Sequence, residues 1–212
     1  MSARGGLKRK RKEVEDWRST LFFWRGVLAS DTWQGTWVGA PPTDAASPLP
    51  AAYAASASTF TATLSPAALP APLTLASLLG HSCSISSAYL LDQGDGQGLQ
   101  RFSDGQHALR VADAPRGEAP SALAAACGEN EFGSFVSAGL LAVEGGQATL
   151  TLARRYVREG DARARWRGGE GARAALQHLQ QCEGAEGGAG EPAWLALLPW
   201  RVEGEGQKQG KA

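Results

Sequence analysis

The feature that most constrains this fold is the alternation of large rings with glycine in residues 22–42, FFWRGVLASDTWQGTWVGAPP. Side chains repeat every second residue along a strand, so Trp33, Gly35 and Trp37 fall on one face of an extended chain. A helix would scatter them around its axis. The intervening Ser30 and Asp31 supply a turn, and the segment reads as two antiparallel strands. A glycine between two indoles lets a strand bend sharply while the rings fill the space it encloses. Gly26, Gly133 and Gly139 offer the same device elsewhere, which favours a barrel over a flat-sheeted sandwich.

Further strands are expected at STFTATL (58–64), SCSISSAYLL (82–91), GLQRF (98–102) and QHALRVA (106–112), the last two joined by SDG as a tight turn. The strongest hairpin joins EFGSFVSAGLLAV to QATLTLARRYV through EGG, with Leu150 and Leu152 alternating with Thr149 and Thr151. In GDARARWRG, Arg163, Arg165 and Arg167 alternate with Ala162, Ala164 and Trp166, as a strand would require, and PAWLALLPWRVE is expected to close the structure. One helix is expected over residues 170–181. The fold class is therefore all-β, an antiparallel barrel of about 8–10 strands with one short helix and long Ala/Pro-rich loops.

A chain of 212 residues, 43% hydrophobic, suffices for one sizeable core. A single barrel domain is expected over residues 19–203, between a basic tail (1–18) and a polar tail (204–212). Biased Ala/Pro/Ser composition marks loop insertions at about residues 41–57, 65–80 and 114–130, the last with room for a short alanine helix. The 21 basic and 21 acidic residues balance, so the chain as a whole does not attract nucleic acid or membrane. Cys83, Cys127 and Cys182 are odd in number and widely spaced, which argues against a disulfide framework and fits a reducing compartment.

No apolar run reaches the roughly 18–20 residues that span a bilayer, and residues 1–20 lack the apolar centre of a secretory signal. The run Lys8, Arg9, Lys10, Arg11, Lys12 instead matches a nuclear-import signal or a phosphate-contacting tail, against the alternative of a solvated tail without a role. The expected location is the nucleus, otherwise the cytoplasm. His81, His107 and His178 have no metal-ligand spacing, and there is no G-x-S-x-G elbow, phosphate loop or dinucleotide fingerprint. Cys83 two residues from His81 lacks the third group that would orient a nucleophile and its base. No catalytic residues, metal or cofactor are expected, and the chain reads as a binding module rather than an enzyme.

Seven arginines and three acids occupy ARRYVREGDARARWRGGEGAR, residues 153–173. Arg154, Arg155, Arg163, Arg165 and Arg167, with Trp166 as a stacking surface, would suit nucleic acid or an acidic protein segment; a charged, solvated outer wall is the plainer reading. LASLL, Leu75–Leu79, matches the L-x-x-L-L docking pattern, a frequent chance match in leucine-rich loops.

GTW, Gly35–Trp37, resembles the G-x-W signature of lipocalins and related calycins, and the hairpin at 131–157 is similar to late strands of lipocalin-like barrels in uncharacterised intracellular proteins. That resemblance implies that Trp37 lies at the barrel floor with Arg201 stacked across it. It also implies a small apolar ligand near Trp33 and Trp37. The chain departs from the secreted family in having a strand before the G-x-W strand, no second family motif and no disulfide pattern. The leading functional expectation is a protein-interaction or scaffolding subunit of a larger assembly. Nucleic-acid association and small apolar ligand binding are the alternatives.

Overall fold

The computed structural model describes residues 20–40, 50–65, 74–80, 82–93, 96–113, 121–158 and 160–184. Eight antiparallel strands follow one another around a closed ring: β1 Leu21–Ala29, β2 Thr32–Ala40, β3 Thr59–Ser65, β4 Ser82–Asp92, β5 Leu99–Asp113, β6 Ser121–Asn130, β7 Gly133–Glu144 and β8 Gln147–Tyr156. β8 pairs with β1 to complete it, placing Trp24 opposite Leu152 and Phe22 opposite Arg154. The all-β barrel expected from the sequence is present. PAWLALLPWRVE lies outside the described residues, and the strand that closes the ring is β8.

Alternation sets the inner face. In β3, TFTATLS, Phe60, Ala62 and Leu64 are buried and the threonines between them exposed, the period-two pattern of a wall with one dry side. Trp24, Trp33, Trp37, Tyr89, Leu109, Leu141, Leu150 and Leu152 join them in the interior cluster. β7 and β8 meet at Gly145 and Gly146, whose φ values of 56° and 81° are the left-handed conformations a two-residue hairpin needs.

Three segments differ from the sequence reading. SDG is not a turn: β5 runs unbroken through it, and the pairing shifts from Ile85–His107 to Ser87–Asp104, leaving one extra residue in β5. This β-bulge turns both Asp104 and His107 inward. Part of the 114–130 excursion is β6, whose alanines are buried on both faces, so packing on two sides overrides alanine's helical preference. GDARARWRG is not a strand; Ala162–Arg165 form a 3-10 helix capped by Asp161, whose side chain accepts a hydrogen bond from the Arg163 N–H.

Among the described residues, the insertions carry two short helices, α1 (Pro50–Ala55) and α2 (Leu75–Leu78). Leu78 of α2 is buried and Leu79 packs against the interior cluster, so these two leucines of the L-x-x-L-L pattern face the core rather than a partner. The expected helix is α3, Gly168–Gly184. Its Ala172, Ala175, Leu176 and Leu179, spaced as one helical face, are buried; Ala175, Leu176 and Leu179 join Leu123, Ala125 and Cys127 on the outside of β6 in a second apolar cluster. Arg110 of β5 donates from Nε to the Gly169 carbonyl at 2.9 Å and ties the start of α3 to the wall. Leu179→Ala is expected to lower stability by about 2–3 kcal/mol, the low end for a buried leucine because a surface helix can settle towards the wall. Urea unfolding checks this; an unchanged midpoint would mean that α3 is not part of the cooperative unit.

Candidate functional site

The site lies inside the barrel, towards the end where β1 begins and β8 finishes, and every strand contributes to it. Trp24 (β1) and Trp37 (β2) stack with centroids 5.5 Å apart and planes 18° apart. Phe60 (β3) and Tyr89 (β4) meet the Trp24 ring edge-on at 5.0 and 5.2 Å. Arg154 (β8) lies with its guanidinium carbon 4.6 Å from the Trp24 centroid and 3.8 Å from that of Phe135 (β7), held between two rings in a double cation–π contact.

This arginine is buried beside an aspartate. Arg154 Nη1 donates to Asp104 Oδ2 at 2.6 Å, and Ser87 Oγ donates to the same oxygen at 3.0 Å. Asn130 Nδ2 donates to Asp104 Oδ1 at 2.7 Å and to the Tyr156 hydroxyl at 2.9 Å. The Asn130 side-chain oxygen accepts the Phe132 N–H at 2.9 Å, which fixes the amide's orientation. The network therefore pins β4, β5, β6 and β8 together. Burial alone would push the Asp104 carboxyl up, but the Arg154 charge and the Asn130 hydrogen bond outweigh it and hold it below its ordinary value. Burial works against the Arg154 charge, yet Asp104 and Tyr156 hold its pKa above the ordinary one.

His107 shares this interior. Its Nδ1 lies 3.1 Å from the Gly105 carbonyl and its ring meets Phe135 edge-on. Burial, and then Arg154, lower its pKa from 6.5 to about 4, against the smaller upward pulls of Gly105 and Asp104. Unfolded histidine takes up a proton below about pH 6.5 while the folded one resists until about 4, so the unfolded state binds more protons in that window and stability falls with acid. Between pH 6.5 and 4 the expected loss from this residue is about 3 kcal/mol. Unfolding of wild type and His107→Gln across this range checks it; parallel profiles would assign the acid sensitivity elsewhere.

Four buried polar atoms facing the interior have no hydrogen-bond partner among the described residues: Trp24 Nε1, Trp33 Nε1, Tyr89 Oη and Arg154 Nε. Three of them belong to one mutually packed set around the Trp24 indole. Burial, with Asp104 next, pushes the Tyr89 phenol up, so it stays protonated. An unpaired buried donor costs on the order of 1–3 kcal/mol, so this set calls for acceptors that the described residues do not supply. Across the ring from β2, β6 turns only short side chains inward along Ala122, Ala124, Ala126 and Gly128. A cleft of about 210 Å³ over β3–β5 is lined by Thr59, Thr61, Ala88, Leu90 and Arg101 together with Phe60 and Tyr89, two members of this interior set.

Trp33 and Trp37 stand in the interior as expected, Trp37 donating from Nε1 to the Leu90 carbonyl at 3.1 Å. Arg201 lies outside the described residues; among the described residues, Arg154 stacks on Trp24. Arg154 is thereby removed from any nucleic-acid surface, because an interior side chain cannot reach a phosphate. Arg163, Arg165 and Arg167 do not share a strand face: Arg163 pairs with Asp161, Arg167 with Glu129, and Arg165 is exposed on the 3-10 helix. Trp166 is half-buried against the outer apolar cluster rather than offered for stacking. Arg155 is half-buried on the outer wall, its pKa lowered to about 10 by burial and by the charges of Arg158 and Arg163.

Lys8, Arg9, Lys10, Arg11, Lys12 and His81 lie outside the described residues. Cys83 is buried with its thiol pushed up to about 11, so it carries no thiolate at neutral pH. Among the described residues no cluster of three or more His, Cys, Asp or Glu could hold a metal, and no helix is long and apolar enough to cross a membrane. No family model matches the chain, no curated protein matches it, and no solved structure matches it.

Proposed function

We propose that this protein is a non-enzymatic binding module that takes a small, mostly apolar molecule into the aromatic end of its barrel, in the manner of lipocalin-like carriers. The observation that carries the reading is the set of unpaired donors around Trp24, enclosed by aromatic faces. An outward docking surface draws less support, since Leu99 is the one exposed large hydrophobic side chain among the described residues. The test is uptake of Nile red, a neutral apolar dye. Saturable one-to-one binding with energy transfer from tryptophan is the expected result, and absence of uptake by folded protein would sink the proposal.

A second reading, a polyanionic partner, draws on the crowding of Arg155, Arg158 and Arg163 on the outer wall. Binding to heparin or single-stranded nucleic acid should then weaken steeply between 50 and 200 mM salt. Binding that ignores salt, or Arg158→Glu without effect on it, counts against this reading.

A further inference from the structure

We propose that the molecule taken into the barrel is neutral and carries carbonyl-type acceptors, and that carboxylates are excluded. This rests on the interior-binding reading above and specifies the chemistry of its ligand. The unpaired atoms set the first requirement. Trp24 Nε1 and Arg154 Nε only donate, and the Tyr89 hydroxyl is available to donate. The nearby Asp104 carboxylate already accepts three hydrogen bonds, from Arg154 and Ser87 on one oxygen and from Asn130 on the other, so donors outnumber the acceptor sites left. A guest that brings lone pairs matches this surplus of donors better than one that brings N–H or O–H groups.

Charge sets the second requirement. Arg154 and Asp104 are 2.6 Å apart and cancel, and His107 is neutral above about pH 4. An entering carboxylate meets no uncompensated cation and gives up its hydration. The guanidinium already has a carboxylate partner, since Nη1 donates to Asp104, and Nε is its buried N–H without a partner among the described residues. The Asp104 charge, held on the same guanidinium, repels the newcomer. A buried anion on these terms is strongly disfavoured, whereas a carbonyl oxygen needs only the N–H and O–H donors present. The mutually packed rings of Trp24, Phe60 and Tyr89 make the surroundings aromatic, which sets the third requirement, an aromatic or conjugated body.

Three matched probes decide the matter by titration calorimetry at pH 7: 9-fluorenone, fluorene, which lacks the acceptor, and 9-fluorenone-2-carboxylate. Fluorenone is expected to bind at least tenfold more tightly than either of the others. Trp24→Phe and Tyr89→Phe, which keep a ring and remove a donor, are each expected to weaken fluorenone several-fold and leave fluorene unchanged, an effect that loosened packing would not produce. A carboxylate that binds as well as fluorenone overturns the exclusion of anions, and fluorene binding equal to fluorenone overturns the acceptor requirement; in both cases interior binding itself stands. Failure of all three probes together with Nile red overturns interior binding and this inference with it.

Discussion

Arg154→Met is expected to destabilise the protein by about 3–5 kcal/mol, because it leaves the Asp104 carboxylate buried without its counter-ion. The pair lies inside the barrel with both side chains nearly inaccessible, so water cannot take the arginine's place without opening the ring. Asp104 would keep the hydrogen bonds from Ser87 and Asn130, which stabilise a carboxylate but do not neutralise it. The double variant Arg154→Met with Asp104→Asn removes both charges and is expected to be more stable than Arg154→Met alone, since partners in direct contact couple strongly. Urea unfolding of the three proteins orders them. If the double variant is the less stable, the arginine acts mainly through its stacking between Trp24 and Phe135 rather than through charge.

The second large effect belongs to a position with no side chain. Gly26 and Gly35 face one another across β1 and β2, and a Cβ on Gly35 would stand 2.0 Å from the Arg25 carbonyl oxygen and 2.6 Å from the Gly26 Cα. Both obstacles are backbone of a paired strand, so no rotamer change relieves the clash and the strands themselves must part. Gly35→Ala is expected to cost about 3 kcal/mol or more, the upper end for overpacking, and to reduce soluble yield. Gly39 on the same strand is the control, because its added Cβ would come no closer than 3.3 Å, to a Thr20 methyl group. Equal unfolding midpoints for Gly35→Ala and Gly39→Ala would show that the β1–β2 crossing is looser than its geometry indicates.

The barrel was legible in the sequence wherever one face was apolar and the other polar, as in β3 and the β7–β8 hairpin. Legibility failed where the chain was buried on both faces or charged on the inner one. The alanines of β6 carry no alternation, because the interior and α3 both accept small residues there. Asp104 sits in a sequence that reads as a tight turn, and only pairing with β4 reveals the bulge that carries it inward. Arg154 did leave a signal: it continues the parity of Leu150 and Leu152 and precedes Tyr156 on the same face. Basic composition in its neighbourhood masked that signal. The resemblance set Arg201 across Trp37, and Arg201 lies outside the described residues; the Arg154–Trp24 stack is a different pair that the sequence reading did not name.

Closure of the ring by β8 against β1 also has a kinetic meaning. Seven of the eight strand pairs join neighbours in sequence, while the last joins Phe22–Leu28 to Ala148–Arg154 at opposite ends of the barrel segment, a far longer loop than any of the others. The entropy of closing so long a loop must be met before that seam contributes anything, which slows folding. On the ribosome β1 emerges first and waits for β8, carrying Leu21, Phe23, Trp24 and Leu28 on two apolar faces beside an unpaired edge. In that interval the nascent chain is most exposed to pairing with β1 of another copy, and the speed of translation through β4–β8 sets how long the interval lasts.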